Sequence, residues 1–364
     1  MSNTSLPLVH VVVLNYNGMR FLKDCFESLE KTTYQNMEVV LLDNCSTDES
    51  TDYIKKKFPK TRILQTGING GYSLAYNLAF KQCSGKYMVM LNNDVIVRSN
   101  WLEPMVQEAE SDALIAAVAP KLIYMQDRSM FEYAGACGGF IDKYGYPFAK
   151  GRVFYTIEKD AGQYDEISQI FWVTGAAMFV RLSAIKECGN LDVDFVHHME
   201  EIDLCWRLNL AGFKLKIVPE SVVEHYGGAT IIPDSYRKTY WNHRNSIFML
   251  FKNLERKNLF PLIFKHYILD QLAAVWYALK LQPHRLFAVQ SAHFWILMHA
   301  RMILRKRREA QLKRKVSDDQ VFELIYPRSI ALRYFVFGEK TFQQLLKSYP
   351  MPFHRNQQKS FIQD

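Results

Sequence analysis

The sequence predicts an α/β fold: a mostly parallel central sheet with helices on both faces, followed by a helical C-terminal extension. Three observations carry this. Short apolar runs alternate with helix-spaced segments up to residue 120; residues 121–175 are rich in Gly, Tyr and Phe with weak periodicity; from about residue 241 the chain is helical, aromatic and finally basic. We therefore divide the chain into a domain of residues 1–240, with halves 1–120 and 121–240, and a C-terminal region, 241–364.

The elements follow in order. LVHVVVL (8–14) is a near-continuous apolar run, the mark of a strand buried on both faces. Phe21, Leu22, Cys25 and Leu29 then recur at helical spacing. MEVVLLD (37–43), RILQT (62–66), YMVML (87–91) and LIAAVAP (114–120) read as further strands. Helices are expected over 48–58, 73–83 and 100–110. Beyond Pro120 we expect loops and short antiparallel strands, with IFWVTGAAMFVR (170–181) the clearest strand pair. EEIDLCWRLNLAG (200–212) predicts a helix ending at Gly212, and KLKIVPES (214–221) a last strand.

Composition narrows the classes. With 364 residues, 49% hydrophobic and 23% charged, the chain supports a large core. MSNTSLPLVH lacks the basic and apolar regions of a signal peptide, and the six cysteines form no CxxC pair. A cytosolic setting without disulfides or a zinc site is therefore expected. The net charge of +8 is concentrated in residues 301–315, where eight Lys or Arg face one Glu.

Four segments carry chemistry. LNNDVIV (91–97) puts Asp94 just past a buried strand, at the carboxyl edge where open α/β sheets bind ligands. A hard carboxylate with room for phosphate oxygens suits Mg²⁺ or Mn²⁺; a turn-capping Asp is the competing reading. LNYNG (14–18) and LLDNCSTDES (41–50) put short polar side chains at the same edge. Asp43 can accept the N3–H of a uracil or thymine ring, while Asp48 reads as a helix cap. NGGYSLAYN (69–77) opens a helix with a Gly pair that allows close backbone approach; it is neither GxGxxG nor a P-loop. In FVHHMEEIDLCWR (195–207), Glu200, Asp203 and Arg207 share a helical face and Glu201 points elsewhere. Like charges raise a carboxyl's pKa, as a general base requires, and the helix N-terminus opposes the shift; a solvated acidic first turn is the alternative.

In order and spacing these segments resemble the family 2 glycosyltransferases of GT-A fold, in their rhamnosyltransferase-like, non-processive branch, over residues ~8–250. The resemblance implies that 1–120 is the donor half and 121–240 the acceptor half. It implies that Asn15, Tyr16, Asn17 and Asp43 hold the nucleoside, with support from Asn69, Gly70, Gly71 and Asn77. The family's DxD triplet reads Asn92-Asn93-Asp94 here, leaving one carboxylate for Mn²⁺ or Mg²⁺, with Asn93 on the donor. The catalytic-base position carries Glu201, with Glu200, Asp203 and Arg207 beside it. His225 is the expected nitrogen ligand to the metal, or else an ordinary histidine. Arg244 would pair with phosphate or acceptor. Trp172 is an acceptor-side stacking candidate, or else a core tryptophan.

The implied function is inverting transfer of one sugar from a UDP or dTDP donor to a glycan or lipid-linked acceptor, in bacterial surface polysaccharide or glycolipid assembly. The alternative is a non-catalytic GT-A-like scaffold that binds sugar nucleotides at the membrane. No QxxRW motif is present, which argues against processive synthases, and LNYNGMR lacks the Gly-rich loop of a nucleotidyltransferase. Residues 259–281 and 286–304 are aromatic and aliphatic but interrupted by polar groups. That mixture suits a peripheral position in the membrane interface, with the eight basic residues on an anionic cytoplasmic leaflet; a marginal span in 286–304, or a helical bundle packed on the sheet domain with a solvated basic helix, are the alternatives. No nucleic-acid-binding module is recognisable.

Overall fold

The computed structural model describes residues 6–227 and 235–351. Strands β1 (Val9–Asn15), β2 (Met37–Asp43), β3 (Arg62–Gln65), β4 (Tyr87–Asn92), β5 (Val95–Val97) and β6 (Ile115–Tyr124) are interleaved with helices α1 (Met19–Glu30), α2 (Ser50–Lys57), α3 (Gly71–Gln82) and α4 (Leu102–Ser111). Short strands β7 (Gly139–Ile141), β8 (Pro147–Ala149), β9 (Arg152–Val153), β10 (Thr156–Ile157) and β11 (Ser168–Gln169) follow, then β12 (Ala177–Arg181), α5 (Leu182–Cys188), α6 (Glu200–Leu210) and β13 (Lys214–His225). The C-terminal region holds α7 (Tyr236–Asn253), α8 (Arg256–Leu279), α9 (Pro283–Met298), α10 (Ala300–Leu312) and the short α11 (Asp318–Val321), α12 (Ile330–Phe335) and α13 (Phe342–Ser348).

The main sheet runs β11-β13-β6-β12-β4-β1-β2-β3, with β5 paired to β13, and β7–β10 form a separate sheet. β1 is parallel to β2 and β4, and β2 to β3. β12 is antiparallel to both β4 and β6. The period of two along β1 divides the core. Val9, Val11 and Val13 pack with Leu22, Phe26 and Trp101 on one face. Val12 belongs to the other, with Tyr76 and Phe80 of α3 and Trp206 of α6. That second core continues into the C-terminal region through Ile247, Phe248, Leu254, Ile303 and Leu345.

The expectation of a strand pair over 170–181 is corrected, because only Ala177–Arg181 is a strand. The Thr174-Gly175 turn diverts the chain before it. Thr174 Oγ1 accepts from the Ala176 amide at 3.2 Å, and the Gly175 carbonyl accepts from the Tyr72 hydroxyl at 2.8 Å. The thiols of all six cysteines are free.

Candidate active site

The parallel register lines up three strand ends. Asn15 closes β1 opposite Asp43 of β2, and Leu14 pairs with Asn92 at the end of β4. Asn15 is fully buried and spends its carboxamide on this edge. Its Nδ2 donates to Ser50 Oγ at 2.9 Å and Ser46 Oγ at 3.0 Å, and its Oδ1 accepts from Asn93 Nδ2 at 2.8 Å. The chain must then pass close by, and Gly18 permits it: a Cβ there would lie 2.0 Å from Asn93 Nδ2. Asn17, at φ 48°, accepts the Thr47 amide at 2.7 Å. Tyr16 stands exposed at the lip. Asp43 is buried, with Oδ2 on the Ser46 amide at 3.3 Å. Asp48 accepts from the Met19 amide at 3.1 Å and from the Ser50 amide at 3.1 Å, but the N-cap residue of α2 is Glu49, without a side-chain cap, so Asp48 bridges the starts of α1 and α2 from one position earlier than a cap.

Asn69 Oδ1 accepts from Asn44 Nδ2 at 2.9 Å, and Asn44 Oδ1 accepts from the Gly70 amide at 3.2 Å. Gly71 has φ +72°, and a Cβ there would meet nothing nearer than the Val196 carbonyl at 3.8 Å. Asn44, which organises this loop, escaped the sequence reading although it follows Asp43 directly. Asn77 is occupied elsewhere: it clasps the Leu191 backbone from both sides, at 2.9 and 3.0 Å.

Asp94 sits one residue before β5, and its Oδ1 lies 3.2 Å from Nε2 of His225, the last residue of β13. The other ring nitrogen of His225 lies 3.3 Å from Glu132 Oε1. Burial opposes the charge on His225, but Glu132 and Asp94 outweigh it and raise its pKa to about 10. Burial likewise pushes Asp94 up; the His225 partnership wins and holds it below the usual carboxylate value. The residues fit a divalent ion that substrate would largely hold. Among the described residues no three His, Cys, Asp or Glu side chains are arranged to hold one alone. Asp94, and His225 once an ion displaces the proton from Nε2, offer two adjacent donors, and Glu132 sits where a carboxylate usually orients a ligating imidazole. Glu132 belongs to none of the motifs, so only the fold brings it here.

The acidic cluster divides sharply. α6 is entered through a strained turn in which Val196, His198 and Met199 all have positive φ, at 64°, 66° and 68°. Val196, with ψ −62° and the His197 amide 2.8 Å from the Phe195 carbonyl, makes a γ-turn that a β-branched residue rarely adopts. Two α7 side chains clamp it. Asn245 Nδ2 donates to the carbonyls of Phe195, His197 and His198 at 2.9, 2.7 and 2.7 Å. Arg244 donates to the carbonyls of Asp194 and Phe195 at 2.7 and 2.6 Å. The turn delivers Glu200, buried with Oε2 lacking a hydrogen-bond partner among the described residues, and the half-buried Glu201. Burial pushes both carboxyls well above their ordinary range, and the charge of Glu201 adds to the shift on Glu200. Tyr72 lies close enough for both to raise its phenol after burial and Tyr76 have done so. Its bond to Gly175, and that of the Asn92 amide to the Ala176 carbonyl at 2.9 Å, link this cluster to the strand ends.

Asp203 and Arg207 are not free for substrate. Asp203 accepts from Arg207 Nε at 2.9 Å, Lys252 Nζ at 2.8 Å and Asn253 Nδ2 at 2.9 Å. Burial would raise it, yet Lys252 and Arg207 hold it below the usual value. Arg207 spends its remaining donors on the carbonyls of Cys188, Gly189 and Asn190. Arg244 is likewise buried, 4.6 Å over the Trp295 ring, and meets backbone rather than open space. Trp172 is the core alternative: it is 2% exposed, and Nε1 donates to the Phe140 carbonyl at 2.8 Å. The aromatic beside the turn before α6 is instead Trp241, whose ring lies 4.7 Å from that of His197.

Residues 10–175 match the family described as Glycosyl transferase family 2. The chain is 35% identical over 114 residues to the glycosyltransferase GlyG of Streptococcus pneumoniae, a match covering 30% of this chain and only 38% of that one. It is 27% identical over 232 residues to an N-acetylglucosaminyl-diphospho-decaprenol L-rhamnosyltransferase of Mycobacterium tuberculosis, covering 59% and 75%. Among solved structures it resembles GalNAc-T7, determined with UDP, GalNAc and Mn²⁺, with a TM-score of 0.58 at 16% identity over 82% of this chain and 58% of that one. That likeness shows a shared GT-A fold.

Proposed function

We propose, from the match of residues 10–175 to the family 2 glycosyltransferases, that this chain belongs to that family and moves one sugar from a UDP or dTDP donor to an acceptor hydroxyl with inversion. Two carboxyls linked through Tyr72 and the Gly175–Ala176 backbone carry the reading, because they are driven apart: Asp94 is held below the ordinary range and Glu201 above it. Such a split marks an ionised, charge-handling carboxylate beside a proton-accepting one.

The nucleoside lies against Asp43 and the Asn69–Gly71 loop, at the carboxyl edge of β1, β2 and β3. Glu201 takes the proton of the acceptor hydroxyl as its oxygen bonds to the anomeric carbon. The bond from that carbon to the diphosphate oxygen breaks on the opposite face, so the anomeric centre inverts. Glu200, Asp203 and Arg207 position the helix end that presents Glu201. Asp94 and His225 would hold Mn²⁺ or Mg²⁺, which when bound neutralises charge on the departing diphosphate. Glu132 fixes the His225 ring. We place the enzyme peripherally on the cytoplasmic face of the membrane, acting on a lipid-linked acceptor in surface polysaccharide or glycolipid assembly. The rhamnosyltransferase relative, named for a diphospho-decaprenol acceptor, supports that class.

The test is Glu201→Gln with a panel of sugar nucleotides. Transfer should fall by about 10²–10⁴, the usual worth of a positioned base, while donor-induced thermal stabilisation with Mn²⁺ persists. A drop of less than a few-fold at Glu201 removes it as the base.

A further inference from the structure

We propose that the outer face of the α8–α9 hairpin docks on an anionic lipid bilayer and lies in its interface. α8 buries one stripe at helical spacing, Leu259, Leu262, His266, Asp270 and Ala274. The opposite stripe is just as apolar: Phe264, Ile268, Leu272, Val275 and Leu279 repeat every three or four residues and are exposed, Leu272 by 54% and Leu279 by 73%. α9 repeats the pattern, burying Arg285, Ala288, Ala292 and Ile296 while Phe287, Phe294 and Leu297 stand out. A helix apolar on all sides is normally covered on all sides, and a continuous exposed apolar face marks an interaction surface.

Charge identifies the occupant. From Arg256 to Arg308 the chain has a single acid, Asp270, which is fully buried. Lys265 of α8, Lys280 at its C-terminal cap, and Arg301, Arg305 and Arg308 of α10 are all exposed, Arg305 with exposed Glu309 4.0 Å away. A second copy would bring like charges together; an anionic leaflet attracts them. Half-exposed Trp276, with the Lys280 ammonium 4.8 Å over its ring, and Tyr267 supply the amphipathic rings found at bilayer interfaces. No helix of the described residues is long and apolar enough to cross a membrane; helices with an apolar, aromatic face and a basic rim lie in the interface plane.

The cations involved differ from the expected eight. Lys306 pairs with Asp192 and Asp194, and Arg307 donates to the carbonyls of Phe251 and Leu254. Arg314 bridges to Asp318, and Lys315 to Glu187. Those four hold α10 and the turn after it to the body and are not the lipid-facing ones. The proposal rests on the transferase reading only in that docking would present the cleft to a lipid-linked acceptor; lipid binding itself is measured without donor or acceptor.

The experiment is co-sedimentation of the full chain with phosphatidylcholine vesicles, with and without phosphatidylglycerol, at low and high salt. Two variants are compared: Leu272→Gln with Val275→Gln and Leu279→Gln, and Arg301→Gln with Arg305→Gln and Arg308→Gln. Circular dichroism and donor-induced thermal shift establish that each still folds. We expect the intact chain to bind the anionic vesicles. The apolar variant should lose binding at least tenfold at both salts. The charge variant should lose about a hundredfold at low salt and most of its salt dependence. Absence of vesicle binding by the intact chain overturns the proposal, as does binding indifferent to the apolar variant. So does a dimer in solution that the apolar variant abolishes without any lipid effect, which assigns the face to a second copy.

Discussion

A carboxylate's neighbours decide its chemistry, and four acids near this cleft show how far they can separate it. Asp203 meets two cations and an amide and is held ionised as structure. Asp94 meets one imidazole, 3.2 Å away. For Glu200 and Glu201 burial is the dominant influence, no described cation offsets it, and both are raised. From this, Asp94→Asn should remove the Mn²⁺-dependent part of UDP-induced thermal stabilisation and leave the metal-independent part. A donor at ~100-fold over its Kd adds about 2.7 kcal/mol to wild type, so the difference is measurable without turnover. Undiminished Mn²⁺ dependence in the variant would show that the ion is held elsewhere.

At the scale of one element, α7 joins the turn before α6 to the body. Along it, His243 reaches Asp270, Arg244 and Asn245 grip the turn before α6, and Lys252 and Asn253 hold Asp203. A γ-turn at Val196 persists only while its surroundings hold it. Asn245→Ala removes one donor from three carbonyls at once, at a cost of about 1–3 kcal/mol for buried groups left unpaired. Turnover should fall at least tenfold while donor affinity stays within a few-fold, because the donor half is untouched. Equal losses in kcat and donor affinity would mean that the clamp serves the whole cleft and not the turn. Asn245→Gln should not rescue, since the longer arm cannot meet the same three oxygens.

At the scale of the molecule, Asp270 is the node between the hairpin and the sheet domain. It is fully buried on α8, accepts from the Tyr146 hydroxyl at 2.8 Å, pairs with His243 of α7 at 2.7 Å, and has the rings of His266 and of His293 of α9 at ion-pair distance, 3.2 and 3.1 Å. Burial would raise its carboxyl, but His243 and His266 carry it well below the ordinary value. Burial would lower His266, but Asp270 and the Tyr144 carbonyl raise it. The Asp270 contribution to stability is present above its unfolded value, ~3.9, and is lost as pH falls through the folded one. The His266 contribution is complete below its unfolded value, ~6.5, and is lost as pH rises through the folded one. Asp270→Ala, leaving buried imidazoles without their counter-charge, should cost about 3–5 kcal/mol. In urea unfolding the gap between wild type and variant should be widest between those two values and narrow on either side. A gap independent of pH would make the node a packing contact and not a charge cluster.

Much of this was legible in the chain itself. A strand such as LVHVVVL announces burial on both faces, and Gly18, Asp43 and Asp94 stand at strand ends on the edge where ligands bind, because local pattern dictates local structure. The chain also announced an acidic turn and an apolar, basic C-terminal region. It could not say which acid of Glu200, Glu201 and Asp203 is free, because Lys252, the residue that occupies Asp203, lies 49 positions away. Nor could it find Glu132 beside His225, or decide that Trp172 is core while Trp241 stands by the turn before α6. It could not divide the basic run into cations that hold Asp192 and Asp318 and cations that face outward. Each of those outcomes depends on which distant side chain arrives at a buried atom. Burial and pairing set charge state and accessibility, and they exist only once the sheet, α7 and the hairpin have closed on one another.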